Sequence, residues 1–255
     1  MMKRQVLRML EIKGVYKTFN PGTINEKKAL TGIDLTLNEG DFVTVIGGNG
    51  AGKSTLFNMI AGVYPVDCGT IKVDGEDITK LPEYKRAKYM SRVFQDPMTG
   101  TAADMQIDEN LSIAARRGKK RTLKNGVTKK EREEYREILK KLDLGLEDRL
   151  SSKVGLLSGG QRQRLCIARA LLGNPKIVIF DDSSSALDFA TDSKLRKAIH
   201  DELSDTTVII VSQRVNTVKN CDRIIVMNEG GISAIGTHSE LYKTNEVYNE
   251  ICLSQ

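Results

Sequence analysis

The stretch GGNGAGKST at Gly47–Thr55 decides the fold of this chain. It fits the pattern G-x-x-x-x-G-K-[ST], with Gly47, Gly52, Lys53 and Ser54 at the fixed places. Glycines let a backbone turn tightly, so that successive N–H groups point at phosphate oxygens. The lysine brings a positive charge to the β- and γ-phosphates, and the serine hydroxyl can ligate Mg²⁺. The stretch therefore predicts a loop that binds the phosphates of a nucleotide.

The flanks of this loop predict a strand before it and a helix after it. Phe42–Ile46 (FVTVI) is a short apolar run of the kind found in buried strands. Leu56–Ala61 continues with helical apolar spacing, which would place the phosphates at a helix N-terminus. The alternative is a glycine-rich turn that only connects a strand to a helix. The order of strand, loop and helix argues against that alternative.

Composition is that of a soluble globular protein, with 28% charged and 40% hydrophobic residues in a chain of 255. No apolar stretch approaches the roughly 20 residues of a membrane helix. Arg8 and Glu11 interrupt the apolar run near the N-terminus, so we expect no signal peptide there. The cysteines lack metal-binding spacing, which favours reduced thiols in a cytosolic protein; they are Cys68, Cys166, Cys221 and Cys252.

The net charge of +6 comes largely from the basic run Arg116–Arg132. Such a run can contact nucleic acid or an anionic membrane surface. It contains no interleaved aromatic residues, which disfavours a stacking platform for single strands. A solvated loop and helix face is the preferred interpretation, with membrane contact as the alternative, and no nucleic-acid partner is expected.

Further apolar runs predict a largely parallel sheet. Ile177–Phe180 (IVIF) and Thr207–Val211 (TVIIV) are all-apolar strands separated by helical segments. In such sheets the loops at the carboxyl ends of strands carry the ligand site. Polar residues that follow strand ends should therefore converge on the phosphate loop; they are Gln95, Asp181, Asp182 and Gln213.

Two other segments carry local signals. Residues 104–150 are richer in charge and have helical apolar spacing, which indicates an inserted helical subdomain. LSGGQ at Leu157–Gln161 opens a further helix, Arg162–Leu172. Asp74-Gly75 is a hairpin signal after the predicted strand Gly69–Val73.

In these motifs and their order, the chain resembles the nucleotide-binding domain of ABC transporters over nearly its whole length. Gly47–Thr55 resembles the Walker A, Gln95 in VFQDP the Q-loop, and LSGGQ the family signature. Ile177–Asp182 resembles the Walker B, and Ser185–Asp188 (SALD) the D-loop. Many NTPases share a Walker A, whereas LSGGQ between a Q-loop and a Walker B is close to diagnostic.

The resemblance implies an α/β fold: a P-loop NTPase core with a mainly parallel sheet, an N-terminal antiparallel β subdomain and an inserted helical subdomain. Residues 1–255 would form a single nucleotide-binding domain. Residues 1–95 and 163–255 would be its ATP-binding core, and residues 96–162 its helical subdomain with the signature.

The resemblance also implies cofactors and partners. The cofactors are ATP and Mg²⁺. Two domains would pack head to tail, as a homodimer or a heterodimer, with each ATP between one Walker A and the other chain's signature. A transmembrane permease subunit would turn this cycle into transport, which places the chain in the cytoplasm, peripheral to the inner face of the membrane.

Roles for individual residues follow from the same resemblance. Asp182 would polarise the attacking water, Gln213 would sense the γ-phosphate, and Gln95 would be the third catalytic residue. Ser54, Gln95 and Asp181 would serve Mg²⁺. Phe19 in YKTF is preferred to Tyr16 as the adenine-stacking aromatic. The full set of ATP contacts, including those across the dimer, is Phe19, Gly47, Gly48, Asn49, Gly50, Ala51, Gly52, Lys53, Ser54, Thr55, Ser158, Gly159, Gly160 and Gln161.

Two positions depart from the family pattern. Asp182 stands where the family has Glu, so its oxygens retreat by roughly 1 Å, and a misplacement of about 1 Å can cost about 10²-fold in rate. Gln213 stands where the family has His; it can donate a hydrogen bond but cannot carry a positive charge. Both changes spare ATP binding and weaken hydrolysis, which makes a degenerate ATP-binding module the alternative to a working ATPase. Ordinary turnover with tolerated substitutes remains the contrary interpretation.

The two parts of the chain also resemble different classes of ABC transporter. Residues 1 to about 160 resemble an importer's ATPase subunit, and the part from Arg162 onward resembles an exporter's domain. A mosaic or engineered chimera joined near LSGGQRQ is therefore a hypothesis. Soluble ABC proteins of translation or DNA repair carry two such domains or a long coiled coil. This sequence shows neither feature, which disfavours that class. A kinase or GTPase is disfavoured because LSGGQ has no role there.

Overall fold

The chain is described from a computed structural model that covers residues 8–119, 126–141, 145–181, 206–212 and 221–253. Its strands are β1 (Arg8–Phe19), β2 (Lys27–Asn38), β3 (Phe42–Gly47), β4 (Cys68–Val73), β5 (Glu76–Asp77), β6 (Met90–Val93), β7 (Ile177–Asp181), β8 (Thr207–Val211), β9 (Arg223–Asn228) and β10 (Gly231–Gly236). Its helices are α1 (Lys53–Ala61), α2 (Glu83–Arg86), α3 (Ile107–Ala115), α4 (Lys129–Lys141), α5 (Gly159–Leu171), α6 (His238–Thr244) and α7 (Glu246–Leu253), with 3₁₀ turns at Glu147–Arg149 and Val154–Leu156.

The N-terminal strands form an antiparallel sheet in the order β2-β1-β4-β5. Ile12 of β1 lies opposite Leu35 on one side and Ile71 on the other, and all three side chains are buried. The predicted hairpin at Asp74-Gly75 joins β4 to β5, and both residues have positive φ, 51° and 77°. Positive φ at both positions is what a type I′ turn requires. This sheet confirms the predicted antiparallel β subdomain.

The second sheet has six strands in the order β10-β9-β3-β8-β7-β6. The pairs of β3 with β8 and β9, and of β7 with β6 and β8, are parallel, whereas β10 runs antiparallel to β9. Every residue of β3 is buried, as expected of a central parallel strand. The prediction of a mainly parallel sheet is confirmed, and the ends of β3, β6 and β7 meet at one edge.

Three helices, α3, α4 and α5, cover one face of this parallel sheet. Leu111 of α3, Leu139 of α4 and Leu165 of α5 pack in one buried cluster with Val178 and Phe180 of β7. The helices predicted between residues 104 and 150 are therefore present as α3 and α4. Because their core is shared with β7, the proposed division at residues 95 and 163 stays a prediction.

The helices α6 and α7 close the opposite end of the sheet. Tyr248 of α7 is fully buried with Ile224 and Val226 of β9. Its hydroxyl lies 2.7 Å from Nδ1 of His238, which gives this histidine a structural contact. Within the described ranges, no helix is both long and apolar enough to cross a membrane.

Candidate functional site

A cavity of about 260 Å³ opens where β3, β6 and β7 end, and it gathers residues from distant parts of the chain. Residues 49–55 of the phosphate-loop stretch line it, whereas Gly47 and Gly48 do not, and Gln95 and Asp181 come from the ends of β6 and β7. Its lining residues are Phe19, Lys27, Ala29, Asn49, Gly50, Ala51, Gly52, Lys53, Ser54, Thr55, Gln95, Asp181 and Val211. The predicted convergence at the strand ends is therefore present for every described member.

Gly47 and Gly52 must each be glycine, but for different physical reasons. A Cβ on Gly47 would lie 2.4 Å from the carbonyl oxygen of Met227, so the close approach of β9 excludes any side chain. Gly52 has a φ of +97°, and a Cβ there would lie 2.7 Å from the carbonyl oxygen of Ala29. The loop is thus held between neighbouring backbones in a conformation that glycine alone adopts without strain.

Helix α1 begins directly at the cavity. Gly52 is its N-cap residue, and the first helical hydrogen bond runs from the Leu56 N–H to the Gly52 carbonyl, at 2.9 Å. Because glycine has no side chain, it cannot satisfy the N–H groups of the first turn. Those groups carry the positive end of the helix dipole, which makes this terminus suited to an anion such as phosphate.

Lys53 stabilises the loop through hydrogen bonds to its backbone. Its ammonium donates to the carbonyl oxygens of Gly47, at 2.6 Å, and Gly48, at 2.8 Å. The residue is 8% exposed and lines the cavity. A cation fixed in this way is pre-organised for a phosphate that enters the cavity.

The polar side chains around the cavity fit a Mg²⁺ ion bound together with phosphates. Ser54, Gln95 and Asp181 all line it, and each offers an oxygen atom, the ligand that Mg²⁺ prefers. Among the described residues, no group of three or more His, Cys, Asp or Glu side chains could hold a metal alone. Mg²⁺ is usually held by one or two carboxylates and by substrate phosphates, so this small donor set is chemically suitable.

Asp181 is also part of an ion pair that sequence reasoning missed. Its Oδ2 accepts from Nη2 of Arg92 at 2.7 Å, and both side chains are largely buried. Arg92 lies on β6 and Asp181 on β7, which are neighbouring parallel strands. The positions are 89 residues apart, so no local spacing signal could have found the pair.

Phe19 and Tyr16 were the alternatives for the adenine contact, and they lie in different places. Phe19 lines the cavity, and its ring packs edge-on against Tyr64 at a centroid distance of 5.3 Å. Tyr16 is 47% exposed and lies over Gly32. The geometry therefore favours Phe19. Lys27, Ala29 and Val211 also line the cavity, and no motif had marked them.

The signature residues lie outside this cavity, at the start of α5. Ser158 is the N-cap residue, and its hydroxyl accepts from the Gln161 N–H at 3.3 Å. In return, Oε1 of Gln161 accepts from the Ser158 N–H at 3.1 Å. This is a capping box, in which the two residues satisfy each other's backbone N–H groups. Gly159 and Gly160 form the first turn behind it.

Several predicted residues fall outside the described part of the chain. They are Asp182, Gln213 and the D-loop-like segment Ser185–Asp188. The departures at Asp182 and Gln213 therefore stay sequence-based predictions.

A second cavity, of about 190 Å³, lies between β6 and α5. Arg92, Arg117 and Arg169 contribute to its lining, together with Glu83 and Cys166. Burial lowers the pKa of the Arg117 and Arg169 guanidinium groups. Burial also raises the pKa of the Cys166 thiol to about 11, so this cysteine stays protonated at neutral pH.

Comparisons with known proteins agree with this geometry. The ABC transporter family matches residues 30–185. A tyrosine transport ATP-binding protein of Clostridioides difficile (strain R20291) is 37% identical over 232 residues, covering 88% of this chain and 90% of that protein. An export ATP-binding/permease protein of Rickettsia typhi is 31% identical over 96% of this chain, but this chain spans only 41% of that longer protein.

Solved structures give the same result. The ATP-binding cassette MJ0796, solved as a dimer in a post-hydrolysis state with ADP and Pi, aligns with a TM-score of 0.78. It is 30% identical, and the alignment covers 90% of this chain and 98% of that one. The match to the family extends over more than half of the chain and includes the phosphate loop, the signature and Asp181. The chain therefore belongs to the ABC transporter family, as one of its ATP-binding cassettes, which act as ATPases.

Proposed function

We propose that this chain binds MgATP in the cavity formed by Gly47–Thr55 and hydrolyses it at the interface of a head-to-tail dimer that drives a membrane transporter. The observation that carries the proposal is the convergence of the phosphate loop, Gln95 and Asp181 at the N-terminus of α1. An anion at this terminus meets both the helix dipole and a buried lysine.

The binding roles follow from position. The backbone N–H groups of residues 48–54 and the Lys53 ammonium would hold the phosphates, and Phe19 would stack on the base. The oxygens of Ser54, Gln95 and Asp181 would hold Mg²⁺, which, when bound, neutralises the charge of the phosphates.

The dimer completes the site. Ser158, Gly159 and Gly160 stand at a helix N-terminus that lies away from this chain's own cavity. They would therefore act on an ATP held by another chain, as would Gln161. The partner is a second nucleotide-binding domain, either a copy of this chain or a related chain.

The surface beside Gln95 is proposed to receive the transmembrane permease partner. The cavity lined by Arg92, Arg117 and Arg169 opens there, between the sheet and the helices that carry the signature. A partner seated there would contact both β6 and α5, and so could sense their relative position. Such a contact would keep the chain on the cytoplasmic face of the membrane.

Hydrolysis is proposed to depend on Asp182 and Gln213. Asp182 would accept a hydrogen bond from the attacking water, and Gln213 would donate one to the γ-phosphate. The shorter carboxylate and the uncharged amide predict slow turnover by this chain's own site. The second candidate function is consequently an ATP-dependent clamp, whose turnover relies on a partner with a complete site.

The experiment is the steady-state ATPase rate as a function of protein concentration, for the parent chain and the D182E/Q213H double variant. A nearly silent parent and a double variant with second-order concentration dependence would support the clamp. An ordinary rate in the parent, unchanged in the double variant, would show a normal transporter ATPase. The Lys53→Met variant provides the background, and a parent that binds no ATP would refute both functions.

A further inference from the structure

Arg92 makes three contacts around the end of β6. Its Nη2 donates to Oδ2 of Asp181 at 2.7 Å, and its Nη1 donates to Oδ1 of Asn58 on α1 at 2.6 Å. Its guanidinium also lies 5.0 Å from the ring centroid of Phe94. The guanidinium is thus fixed by α1 on one side and by the aromatic ring next to Gln95 on the other.

The position of this ion pair matters because Asp181 lines the nucleotide cavity. A carboxylate there faces the triphosphate of ATP, and two anions in one partly buried site repel each other. The side chains of Arg92 and Asp181 are only 14% and 19% exposed, so solvent and salt screen the pair weakly. Arg92 therefore offsets negative charge that Asp181 would otherwise present to the phosphates.

We propose that Arg92 is a positioning residue that holds Asp181 through Oδ2 and serves as its counter-ion whenever Mg²⁺ is not bound. Because the pair uses Oδ2, the other carboxylate oxygen can serve a metal without breaking the pair. Arg92 would consequently let ATP enter before, or without, its metal. The inference rests on the proposed MgATP site and adds a residue that sets how strongly ATP binding depends on Mg²⁺.

The test compares ATP binding by the parent, Arg92→Gln and Arg92→Lys, measured by calorimetry once with excess Mg²⁺ and once with EDTA. In EDTA the Gln variant should bind ATP about tenfold more weakly, within the usual range of coupling between sites. With Mg²⁺ the loss should stay within about threefold, because the metal then balances the Asp181 carboxylate. The Lys variant keeps the charge and should recover most of the binding in EDTA.

The matched control is Arg132→Gln. Arg132 also pairs with a buried aspartate, Asp108, through an Nε–Oδ2 contact of 2.8 Å, but it lies in the helical part of the chain. It should change ATP binding in neither condition. Equal weakening by Arg92→Gln with Mg²⁺ and with EDTA would indicate lost packing alone and would overturn the proposal, as would no change in either.

A second pair of variants serves if Arg92→Gln does not fold. Asp181→Asn removes the carboxylate and leaves Arg92 charged, whereas R92Q/D181N replaces the ion pair by two amides and leaves no charge unpaired. In EDTA, the double variant should bind ATP within about threefold of the parent, because neither presents a net charge to the phosphates. A double variant that binds ATP about tenfold more weakly than the parent would show that Arg92 acts other than through Asp181, and would overturn its role as counter-ion.

The same variants separate this inference from the proposed function. If Mg²⁺ strengthens ATP binding by Asp181→Asn as much as it does for the parent, Asp181 does not serve the metal and the proposed metal site is wrong. That comparison contains no change at Arg92. The counter-ion role depends instead on the comparisons that include a change at Arg92, so each idea can fail alone.

Discussion

Two helices of this chain, α1 and α5, begin at glycine-rich phrases that the sequence marks for phosphate, yet their first turns differ. At α1 the N-cap residue is Gly52, which has no side chain, and the turn opens into the nucleotide cavity. At α5 the N-cap residue is Ser158, and its hydroxyl and the amide of Gln161 form a closed capping box. The first turn of α1 therefore lacks a side-chain cap from this chain, whereas the first turn of α5 is capped by side chains of its own helix.

The difference indicates how each site is kept stable while no phosphate is present. A serine cap contributes about 1 kcal/mol, so the first turn of α5 is stabilised without a bound phosphate. Helix α1 lacks that contribution at its N-terminus and is secured at its other end instead. There Arg86 donates through Nη1 to the carbonyl oxygens of Met59 and Ile60, at 2.7 and 2.9 Å. The open site is therefore built on a helix that is anchored far from the ligand.

The largest effect is expected at the open terminus, from Lys53→Met. This change removes the cation from the loop and also the donor that holds the Gly47 and Gly48 carbonyls. Because the ammonium would form charge-assisted hydrogen bonds to two phosphates, we expect its removal to weaken ATP binding about 100-fold or more. Titration with a fluorescent ATP analogue measures it, with the exposed Lys130→Met as control. Affinity within threefold of the parent would show that the helix terminus alone binds the phosphates.

The anchor of α1 is tested by Arg86→Met. Arg86 is 1% exposed and also donates to the carbonyl oxygens of Leu81, through Nε at 2.7 Å, and of Thr79, through Nη2 at 2.8 Å. Because these carbonyl oxygens would lose their buried donor, we expect the free energy of unfolding to decrease by about 2 kcal/mol. Urea denaturation measures this decrease, with Arg8→Met, at an exposed arginine, as the control. A decrease no larger than in the control would mean that α1 needs no anchor.

Much of this arrangement could be predicted from the sequence, because motifs with fixed spacing are local. The loop between β3 and α1, the hairpin at Asp74-Gly75 and the strand before Asp181 all lie where the sequence predicts them. The ion pair of Arg92 with Asp181 was not predicted, since it depends on which strands become neighbours. The self-capping of Ser158 was also missed, although S-x-x-Q is a recognisable capping signal.

The capped terminus is tested by two substitutions of Ser158. Ser158→Ala removes the cap and should lower the free energy of unfolding by about 1 kcal/mol. Ser158→Asp keeps a good cap and should leave stability near that of the parent, but it places a negative charge where the partner's phosphate is proposed to bind. Denaturation measures the first effect, and sedimentation with ATP measures dimer formation. If Ser158→Asp still dimerises like the parent, the signature does not contact phosphate.

The smallest expected effect is a difference in how two capping boxes respond to pH. Helix α6 has the same box as α5, but with Glu240 in place of Gln161. Hydrogen bonds from the Thr237 N–H and hydroxyl hold the pKa of the Glu240 carboxyl below its ordinary value. A lowered pKa means that the cap is present above the ordinary pKa of Glu and is lost as the pH falls through the lowered value.

The amide of Thr237, which donates to Oε2 of Glu240 at 2.8 Å, reports this loss. Its protection from hydrogen exchange, corrected for the intrinsic pH dependence of exchange, should decrease as the pH falls below the ordinary pKa of Glu. The amide of Ser158 should keep its protection there, because Gln161 does not titrate. Glu240→Gln should make the Thr237 amide behave like that of Ser158. A parallel loss at both helices would instead indicate acid unfolding of the whole fold, since a local cap cannot open a distant helix.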